Sequence, residues 1–385
     1  MPEPQNFSEC VEKLLDDFNL YDKTVDLVSC WEFFYTKIDS VRDRILYFDR
    51  FPRLTASQET KRDRKTPDFA VLVSASYGLV GEIKHGFPLD DATFLQHLGK
   101  LKKYDQPLSF RADDKGKEIS PVTHDILLIV RLRDAQETVV RIEKLLREGN
   151  PTFERRLIVF EWVYDDDEYI FRRVAGQSAD FNDSTVPQEV RLSKYFGERG
   201  ASLKITPDKI KLIKAAWQFC NDEPKPIYTI VFLWTKILYH LLGQDQREIW
   251  RRKNAEKGLA IDLTVDRLVA EISARYPINW GHWTDWVSKA LDVLVTAGLA
   301  RKIPGSPRYV VGYRNLTKEV GQPGHPALGS RGTYHPADYA KILATYICRG
   351  LREKKAKTEA QDDTQAQHKL SFPEPTNSPN STAND

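Results

Sequence analysis

Two carboxylates and one ammonium group lie within a short, largely apolar segment: Asp68 precedes one apolar run, and Glu82 and Lys84 flank Ile83 in the next. Because side chains alternate along a strand, Glu82 and Lys84 share one face and Ile83 takes the other. A hairpin centred on Ser76 places Asp68 directly opposite Lys84, with its Cβ ~5 Å from that of Lys84 and ~7 Å from that of Glu82. A loop with an even number of residues would break this arrangement, so the prediction depends on the turn.

Such a group has the composition of a site for a hard divalent cation. Neighbouring carboxylates repel each other unless a cation lies between them, and oxygen ligands suit Mg²⁺ or Mn²⁺. The ion would generate hydroxide and stabilise the charge that grows on a phosphate, while Lys84 would orient the water or neutralise that charge. The alternative is a structural one, in which Glu82 and Lys84 form an ordinary exposed pair on a strand.

Pro67-Asp68 and Glu82-Ile83-Lys84 resemble the two signature pieces of the PD-(D/E)xK nuclease superfamily, which has the restriction-endonuclease-like fold. The resemblance covers about Trp31 to Val174 in the order of elements. It implies a Mg²⁺- or Mn²⁺-dependent endonuclease that cuts phosphodiester bonds, most often in DNA, with RNA left open, and a role in restriction or anti-phage defence. Such a fold also serves as an inactive scaffold in a binding protein, so a non-catalytic DNA-binding or complex subunit is the second hypothesis.

The resemblance also implies supporting residues on the flanking helices. Glu32 is the candidate for an acidic residue on the preceding helix, and Gln96, with Tyr104 further along, for a polar residue on the following one. Lys100 and Lys103 would contact phosphates. The plain alternatives are a solvated helix charge for Glu32 and surface or capping polarity for Gln96.

His85 directly follows the motif. Strand alternation predicts that its side chain points away from the site.

The elements that must position these residues follow from hydrophobic periodicity. Two helices are predicted between Phe7 and Val41, then a hairpin and a regular alternation of helices and strands. The further ranges are Phe69–Val73, Leu79–Lys84 and Asp125–Val130 for strands, Asp90–Tyr104 and Ala135–Arg147 for helices, and Leu157–Val163 and Tyr169–Val174 for two more strands. This order predicts an α/β fold, and the resemblance implies that it is a restriction-endonuclease-like core with a mixed sheet.

The second half is predicted to be mainly helical, and it resembles a winged helix over about Ile227 to Tyr313. The predicted elements are helices at Pro207–Cys220, Ile227–Leu242, Thr264–Arg275 and Trp283–Thr296, a hairpin of Gly298–Ile303 with Arg308–Val311, and a last helix at Ala337–Leu351. The resemblance implies that the helix carrying Asp285, Ser288 and Lys289 faces the major groove. Positive side chains on the wing would contact phosphates or the minor groove: Arg301, Lys302 and Arg308. Winged helices also bind proteins, so a protein partner stays open.

Three tryptophans lie close together in this region: Trp280, Trp283 and Trp286. Stacking on bases is one interpretation. Core packing of Trp283 and Trp286, about one helical turn apart, is favoured over it.

These patterns predict a nuclease-like domain at 1–175, a linker at 176–204, a winged-helix-like domain at 205–316, a helical extension at 317–357 and a disordered tail at 358–385. The tail is predicted from its polar composition, which offers almost nothing to bury.

Composition favours a soluble, cytoplasmic protein. The formal net charge is +2 with 29% charged residues, so any nucleic-acid surface must be local. Four cysteines lie far apart and predict lone buried thiols in a reducing cytoplasm. The most apolar stretch, Ile227–Leu242, is interrupted by Lys236 and His240 and is shorter than the ~20 residues of a membrane helix. The expected partners are DNA and either another protein or a second copy of the chain, with no membrane.

Overall fold

The computed structural model describes residues 6–56, 65–86, 90–148, 153–174, 202–216, 218–220, 223–251, 259–276, 283–313, 316 and 336–370. By contact the chain divides into two compact units. The sheet unit comprises Asn19–Lys225 and Ser273–Gly281, and the terminal unit comprises Met1–Phe18, Pro226–Ile272 and His282–Asp385. This division does not coincide with the predicted boundaries, because the start of the chain groups with its second half and residues 202–216 group with the sheet.

A single long helix opens the chain where the periodicity predicts two. Helix α1 spans Phe7–Lys37 and is followed by the short helix α2 at Asp39–Arg42. No proline or glycine occurs between Phe7 and Lys37, so nothing in the sequence forces a break. The two apolar stripes therefore lie on one continuous helix.

After α1, the sheet unit contains the strands and helices predicted between Phe69 and Val174, together with further short strands that the sequence does not predict. Its elements are β1 (Tyr47–Arg50), β2 (Thr55–Ala56), β3 (Phe69–Leu72), β4 (Tyr77–Lys84), α3 (Asp91–Leu101), β5 (Leu108–Arg111), β6 (Glu118–Ile119), β7 (Thr123–Arg131), α4 (Leu132–Arg147), β8 (Leu157–Asp165), β9 (Glu168–Arg173), β10 (Leu203–Ile205) and α5 (Pro207–Ala216). A 3₁₀ turn, Lys102–Tyr104, extends α3.

The main sheet is mixed, which confirms the predicted α/β class. Seven strands lie in the order β1-β3-β4-β7-β8-β9-β10. Strands β4, β7 and β8 run parallel to one another, and the other pairs are antiparallel. Parallel neighbours need crossover connections, which α3 and α4 provide. Strand β7 is buried on both faces, as predicted.

The two faces of this sheet have different cores. On the α1 face, the ring of Trp31 lies 5.4–5.7 Å from those of Phe69, Phe160 and Phe171. On the opposite face, aliphatic residues of the strands pack beneath α3 and α4, with Val80, Phe94 and Leu98 in one buried cluster. We call this second side the α3 face.

The terminal unit combines helices with a three-stranded antiparallel sheet in the order β11-β13-β12. Its elements are α6 (Pro226–Phe232), α7 (Gln244–Arg251), β11 (Leu259–Thr264), α8 (Val265–Arg275, whose last residues group with the other unit), α9 (Trp283–Thr296), β12 (Ala300–Lys302), β13 (Arg308–Tyr313) and α10 (Pro336–Leu370). Trp283 and Trp286 are buried, as the core interpretation predicts; Trp280 lies outside the described residues. Strand β11 is not predicted by the periodicity.

Helix α10 continues to Leu370, where the polar composition predicts disorder from residue 358. Residues 358–370 contain three Gln, two Ala and one each of Glu, Lys and Leu, which are good helix formers. Polarity alone is therefore the wrong criterion for 358–370, and residues 371–385 of the predicted tail lie outside the described residues.

Cysteine pairing also differs from the prediction. Cys10 and Cys348 form a disulfide, with their Cα atoms 6.0 Å apart, whereas Cys30 and Cys220 are free and buried as predicted. A link between residues so distant in sequence cannot be deduced from spacing.

Across the described ranges, no helix combines the length and apolar character that a membrane crossing requires.

Candidate functional site

The hairpin that carries the three candidate residues has a register shifted from the predicted one. Phe69 pairs with Gly81, and the Asp68 N–H donates to the Gly81 carbonyl at 3.0 Å. Asp68 is therefore adjacent to Glu82 across the strands, and the predicted pairing of Asp68 with Lys84 is wrong. The turn is tightened at Ser74, whose carbonyl accepts from the Tyr77 N–H at 3.3 Å, so the hairpin centres one residue earlier than Ser76. Each partner shifts by two residues, which keeps the predicted shared face.

The position of Gly81 shows which face that is. A Cβ on Gly81 would point at the Phe69 ring, on the α1 face. Its neighbour Glu82 must then point to the α3 face, and so must Lys84. Asp68 precedes β3, and its carboxylate lies on the backbone N–H of Ile83, the residue between Glu82 and Lys84. Lys84 therefore lies on the same face as Glu82, as predicted, and the Asp68 carboxylate lies at the same end of the hairpin.

Hydrogen bonds hold the carboxylates in place. The Lys84 Nζ lies 2.7 Å from Glu82 Oε1, and the Tyr104 hydroxyl donates to Glu82 Oε2 at 2.7 Å. The Ile83 N–H donates to Asp68 Oδ2 at 2.7 Å. Asp68 is 6% exposed and Glu82 8%, so their charges are poorly screened by water.

Tyr104 reaches Glu82 from the 3₁₀ turn after α3. Its carbonyl accepts from Nε2 of His124, at 2.8 Å. Burial lowers the pKa of His124 to about 4, opposed by that hydrogen bond, so the ring is neutral at pH 7 and carries its proton on Nε2. The next residue, Asp105, accepts from the backbone N–H groups of Glu154 (2.9 Å) and Arg155 (2.6 Å). The sequence pointed to Tyr104 only through its place after the motif helix, and it gave no signal for His124.

The helix residues predicted beside the site are not all brought to it. Gln96 and Lys100 lie on the exposed side of α3, whose buried side carries Phe94, Leu98 and Leu101. Gln96 is therefore misplaced by the prediction, because the helix phase turns it away from the sheet. Lys103 Nζ lies 4.5 Å from the centre of the Tyr104 ring, next to the site.

Glu32 belongs to the opposite face. Its carboxylate pairs with Arg50 at 3.1 Å, and the same guanidinium donates to the Val25 carbonyl and the Ser29 hydroxyl on α1. Burial raises the pKa of Glu32, and Arg50 opposes that shift. The expectation that Glu32 completes the carboxylate group is thus wrong in position: it anchors α1 to β1.

His85 turns away from the carboxylates, as strand alternation predicts. Its Nε2 lies 2.6 Å from the Thr24 hydroxyl on α1, and its ring packs on Trp162. Burial, followed by the charges of Arg131 and Lys84, lowers the pKa of His85 to about 4.

A further carboxyl group on the α3 face comes from β1. Asp49 on β1 pairs with Ala70 on β3. Ala70 lies two residues after Asp68, and β3 is the strand between β1 and the strand of Glu82. Burial raises the pKa of Asp49 to about 6, against the opposing charge of Arg111. The periodicity misses β1 because charged residues occupy half of it.

The donor set decides which ions the site could hold. Within the part of the chain that is described, no group of three or more His, Cys, Asp or Glu side chains is arranged to hold a metal. Apart from Asp49 on β1, the carboxylates at this end of the β3–β4 hairpin are Asp68 and Glu82. Mg²⁺ usually takes one or two protein carboxylates and keeps waters in its other positions, so this pair fits that ion.

The basic side chains of the terminal unit lie on its surface, several in ion pairs. Lys289 Nζ lies 2.8 Å from Asp285 on the same helix, and Arg308 Nε donates to Asp262 at 3.0 Å. Arg301 and Lys302 are exposed on β12, and Ser288 is half-buried. Exposed ion pairs contribute little to stability and can exchange for phosphate contacts.

Comparisons of the chain with protein-family models, curated proteins and solved structures found no match.

Proposed function

We propose that this protein is a metal-dependent nuclease that hydrolyses phosphodiester bonds, with DNA as the expected substrate. One observation carries the proposal: two mostly buried carboxylates lie at one end of the β3–β4 hairpin, with Asp68 Oδ2 2.7 Å from the Ile83 N–H group and Glu82 Oε1 2.7 Å from Lys84 Nζ. Buried like charges are costly, so a pair held this way suits a cation and its anionic substrate.

Asp68 and Glu82 would hold the ion, Mg²⁺ or Mn²⁺. Once bound, it supplies Lewis-acid stabilisation of the phosphate and lowers the pKa of water. Tyr104 keeps the Glu82 carboxylate in one orientation through its hydroxyl. Lys84 orients the attacking water or neutralises the charge gained by the phosphate. In the reaction, a water oxygen bonds to phosphorus and the water gives up one proton to solvent; the ester P–O bond breaks, and the leaving oxygen takes up one proton from solvent.

The order of elements supports the nuclease resemblance. The β3–β4 hairpin leads through α3 into β7, which runs parallel to β4. In the terminal unit, α6, β11, α8, α9 and the β12–β13 pair follow the order of a winged helix, and we infer that it binds nucleic acid or a partner. Arg301 and Lys302 are then the best phosphate contacts. Restriction or anti-phage defence is the setting that the resemblance suggests, and cutting both strands would need two copies of the site.

The test compares purified wild type with Asp68→Asn, Glu82→Gln and Lys84→Met on plasmid, linear DNA and RNA, in Mg²⁺, Mn²⁺ or EDTA. These changes remove charge but little volume, and the side-chain amide introduced by Asp68→Asn retains an acceptor for the Ile83 N–H. Matched controls are Glu118→Gln and Lys117→Met, which alter exposed residues at β6. Cutting that needs metal, survives both controls and disappears in all three site variants supports the proposal. Undiminished cutting by any site variant overturns it, and the preferred substrate separates DNA from RNA.

A second candidate, a non-catalytic binding module, has its own supporting observation. Both oxygens of Glu82 already have protein partners, Lys84 and Tyr104, so the group could serve only to join β4 to the turn after α3. This function predicts nucleic-acid or partner binding that is unchanged by EDTA and by the combined site variants. Gel shifts with the triple variant, against Arg301→Ala with Lys302→Ala, separate the two candidates.

A further inference from the structure

The corner formed by Tyr104 and Asp105 is fixed from two directions. His124 on β7 donates to the Tyr104 carbonyl at 2.8 Å and is 1% exposed. The Asp105 carboxylate accepts from the N–H groups of Glu154 and Arg155 just before β8, and from Lys102 Nζ at 2.6 Å. Two buried side chains therefore tie this corner to two neighbouring strands.

This anchoring has a direct consequence for Glu82. The Tyr104 side chain is fully buried in the α3-face cluster, and its hydroxyl donates to Glu82 Oε2 at 2.7 Å. A tyrosine has two side-chain torsions, so a fixed backbone and a packed ring leave its hydroxyl one position. The orientation of the Glu82 carboxylate is then set from β7 and β8 through Tyr104.

We propose that His124 and Asp105 are positioning residues that hold the Tyr104 hydroxyl on Glu82, so that the carboxylate is presented to a divalent cation in one orientation. The inference rests on the proposed metal-dependent function. Partners that orient a metal ligand are worth about 10- to 100-fold in metal affinity. A purely structural corner would affect folding and leave metal affinity unchanged.

The geometry also supplies a matched control on the same strand. Asp125 is the next residue of β7 and is as buried as His124, but its carboxylate pairs with Arg156 at 2.8 Å and accepts from the Tyr77 hydroxyl at 2.6 Å. Since adjacent strand residues point to opposite faces, Asp125→Asn disturbs the same strand without touching the Tyr104 corner.

The experiment measures Mn²⁺ binding to the full chain by calorimetry, without nucleic acid, for wild type, Tyr104→Phe, His124→Leu, His124→Gln and Asp125→Asn. We expect His124→Leu to weaken binding about 10- to 100-fold and His124→Gln, whose amide can donate to the same carbonyl, to restore most of it. In a Tyr104→Phe background, His124→Leu should weaken Mn²⁺ binding by less than about threefold more, because both changes act through the same hydroxyl group. Asp125→Asn should bind Mn²⁺ as wild type does.

Equal Mn²⁺ affinity in wild type and His124→Leu, or fully additive effects of the Tyr104 and His124 changes, would overturn the positioning role. If wild type and Glu82→Gln both fail to bind Mn²⁺, the proposed function itself is wrong. Crystal structures of the metal-free variants then decide the positioning separately: it predicts loss of the Tyr104–Glu82 hydrogen bond in His124→Leu, and its persistence contradicts the proposal. Should His124→Leu not fold, Asp105→Asn tests the other half of the corner with the same expectations.

Discussion

Replacing Gly81 by alanine tests the register that sets Asp68 beside Glu82. A Cβ at this position would lie 2.1–2.6 Å from three carbon atoms of the Phe69 ring. That ring cannot retreat easily, since it is fully buried and its centre lies 5.7 Å from the rings of both Trp31 and Phe48. In the register centred on Ser76, Gly81 would instead oppose Val71, and Phe69 would lie beside another residue.

The magnitude follows from two opposing effects. Inserting a methyl group into a packed core costs about 1–3 kcal/mol, and the contact is roughly 1.5 Å closer than optimal carbon separation. Replacing a glycine also restricts the unfolded chain, which stabilises by about 0.4–1 kcal/mol. The net expectation is a loss of about 1–2 kcal/mol in the free energy of opening of the β3–β4 hairpin.

Hydrogen exchange of the amides in β3 and β4, followed by mass spectrometry across a urea series, measures this free energy without assuming that both units unfold together. The control is Gly99→Ala on α3, where a Cβ meets nothing within 4 Å and the helix should gain up to about 1 kcal/mol. Phe69→Leu in the Gly81→Ala background should recover part of the loss. Hairpin stability in Gly81→Ala equal to or above that of wild type would refute the register.

Two further predictions concern the disulfide and a buried histidine. Cys10→Ser should destabilise the terminal unit by about 2–4 kcal/mol. A reductant should lower the melting temperature of wild type but not of this variant. An unchanged melting temperature of wild type in reductant would contradict the Cys10–Cys348 disulfide. The folded pKa of His124, about 4, lies below its unfolded value of roughly 6.5, so the unfolded chain binds the proton first as the pH falls. The contribution of neutral His124 to the free energy of unfolding is fully present above pH 6.5. It is lost as the pH falls to 4 and amounts to up to about 3 kcal/mol. Urea titrations between pH 4 and 8 should therefore show that the free energy of unfolding falls less steeply with acidification in His124→Gln than in wild type. An identical pH dependence in the two proteins would contradict the burial of a neutral ring.

The parts of the fold that sequence could predict are those with a clear period. Strand β7 and helix α4 have their expected types because their apolar spacing is unambiguous. The shared face of Glu82 and Lys84 was predictable because alternation depends only on parity. The cross-strand partner of Asp68 was not, because a turn shorter or longer by two residues leaves every face unchanged.

Other features had no local signal. The placement of Glu32 depends on Arg50, a buried charge on a strand without an apolar pattern. Predicting the position of Gln96 required knowing which side of α3 faces the sheet, and only tertiary packing decides that. The support of Tyr104 by His124 joins elements twenty residues apart and follows from the tertiary fold alone.

The membership of the terminal unit has a consequence for synthesis on the ribosome. Residues 7–18 are synthesised before their partners, which begin at Pro226 and extend to Cys348. The Phe18 ring stacks on that of Tyr228, with centroids 5.5 Å apart. At 5–20 residues per second, the start of α1 waits roughly 10–40 s for the first of these partners to be made. Most of the sheet unit is contiguous and can fold during that interval, so the amphipathic start of α1, with Cys10 and Phe18 on its buried side, is left uncovered while the middle of the chain is already folded.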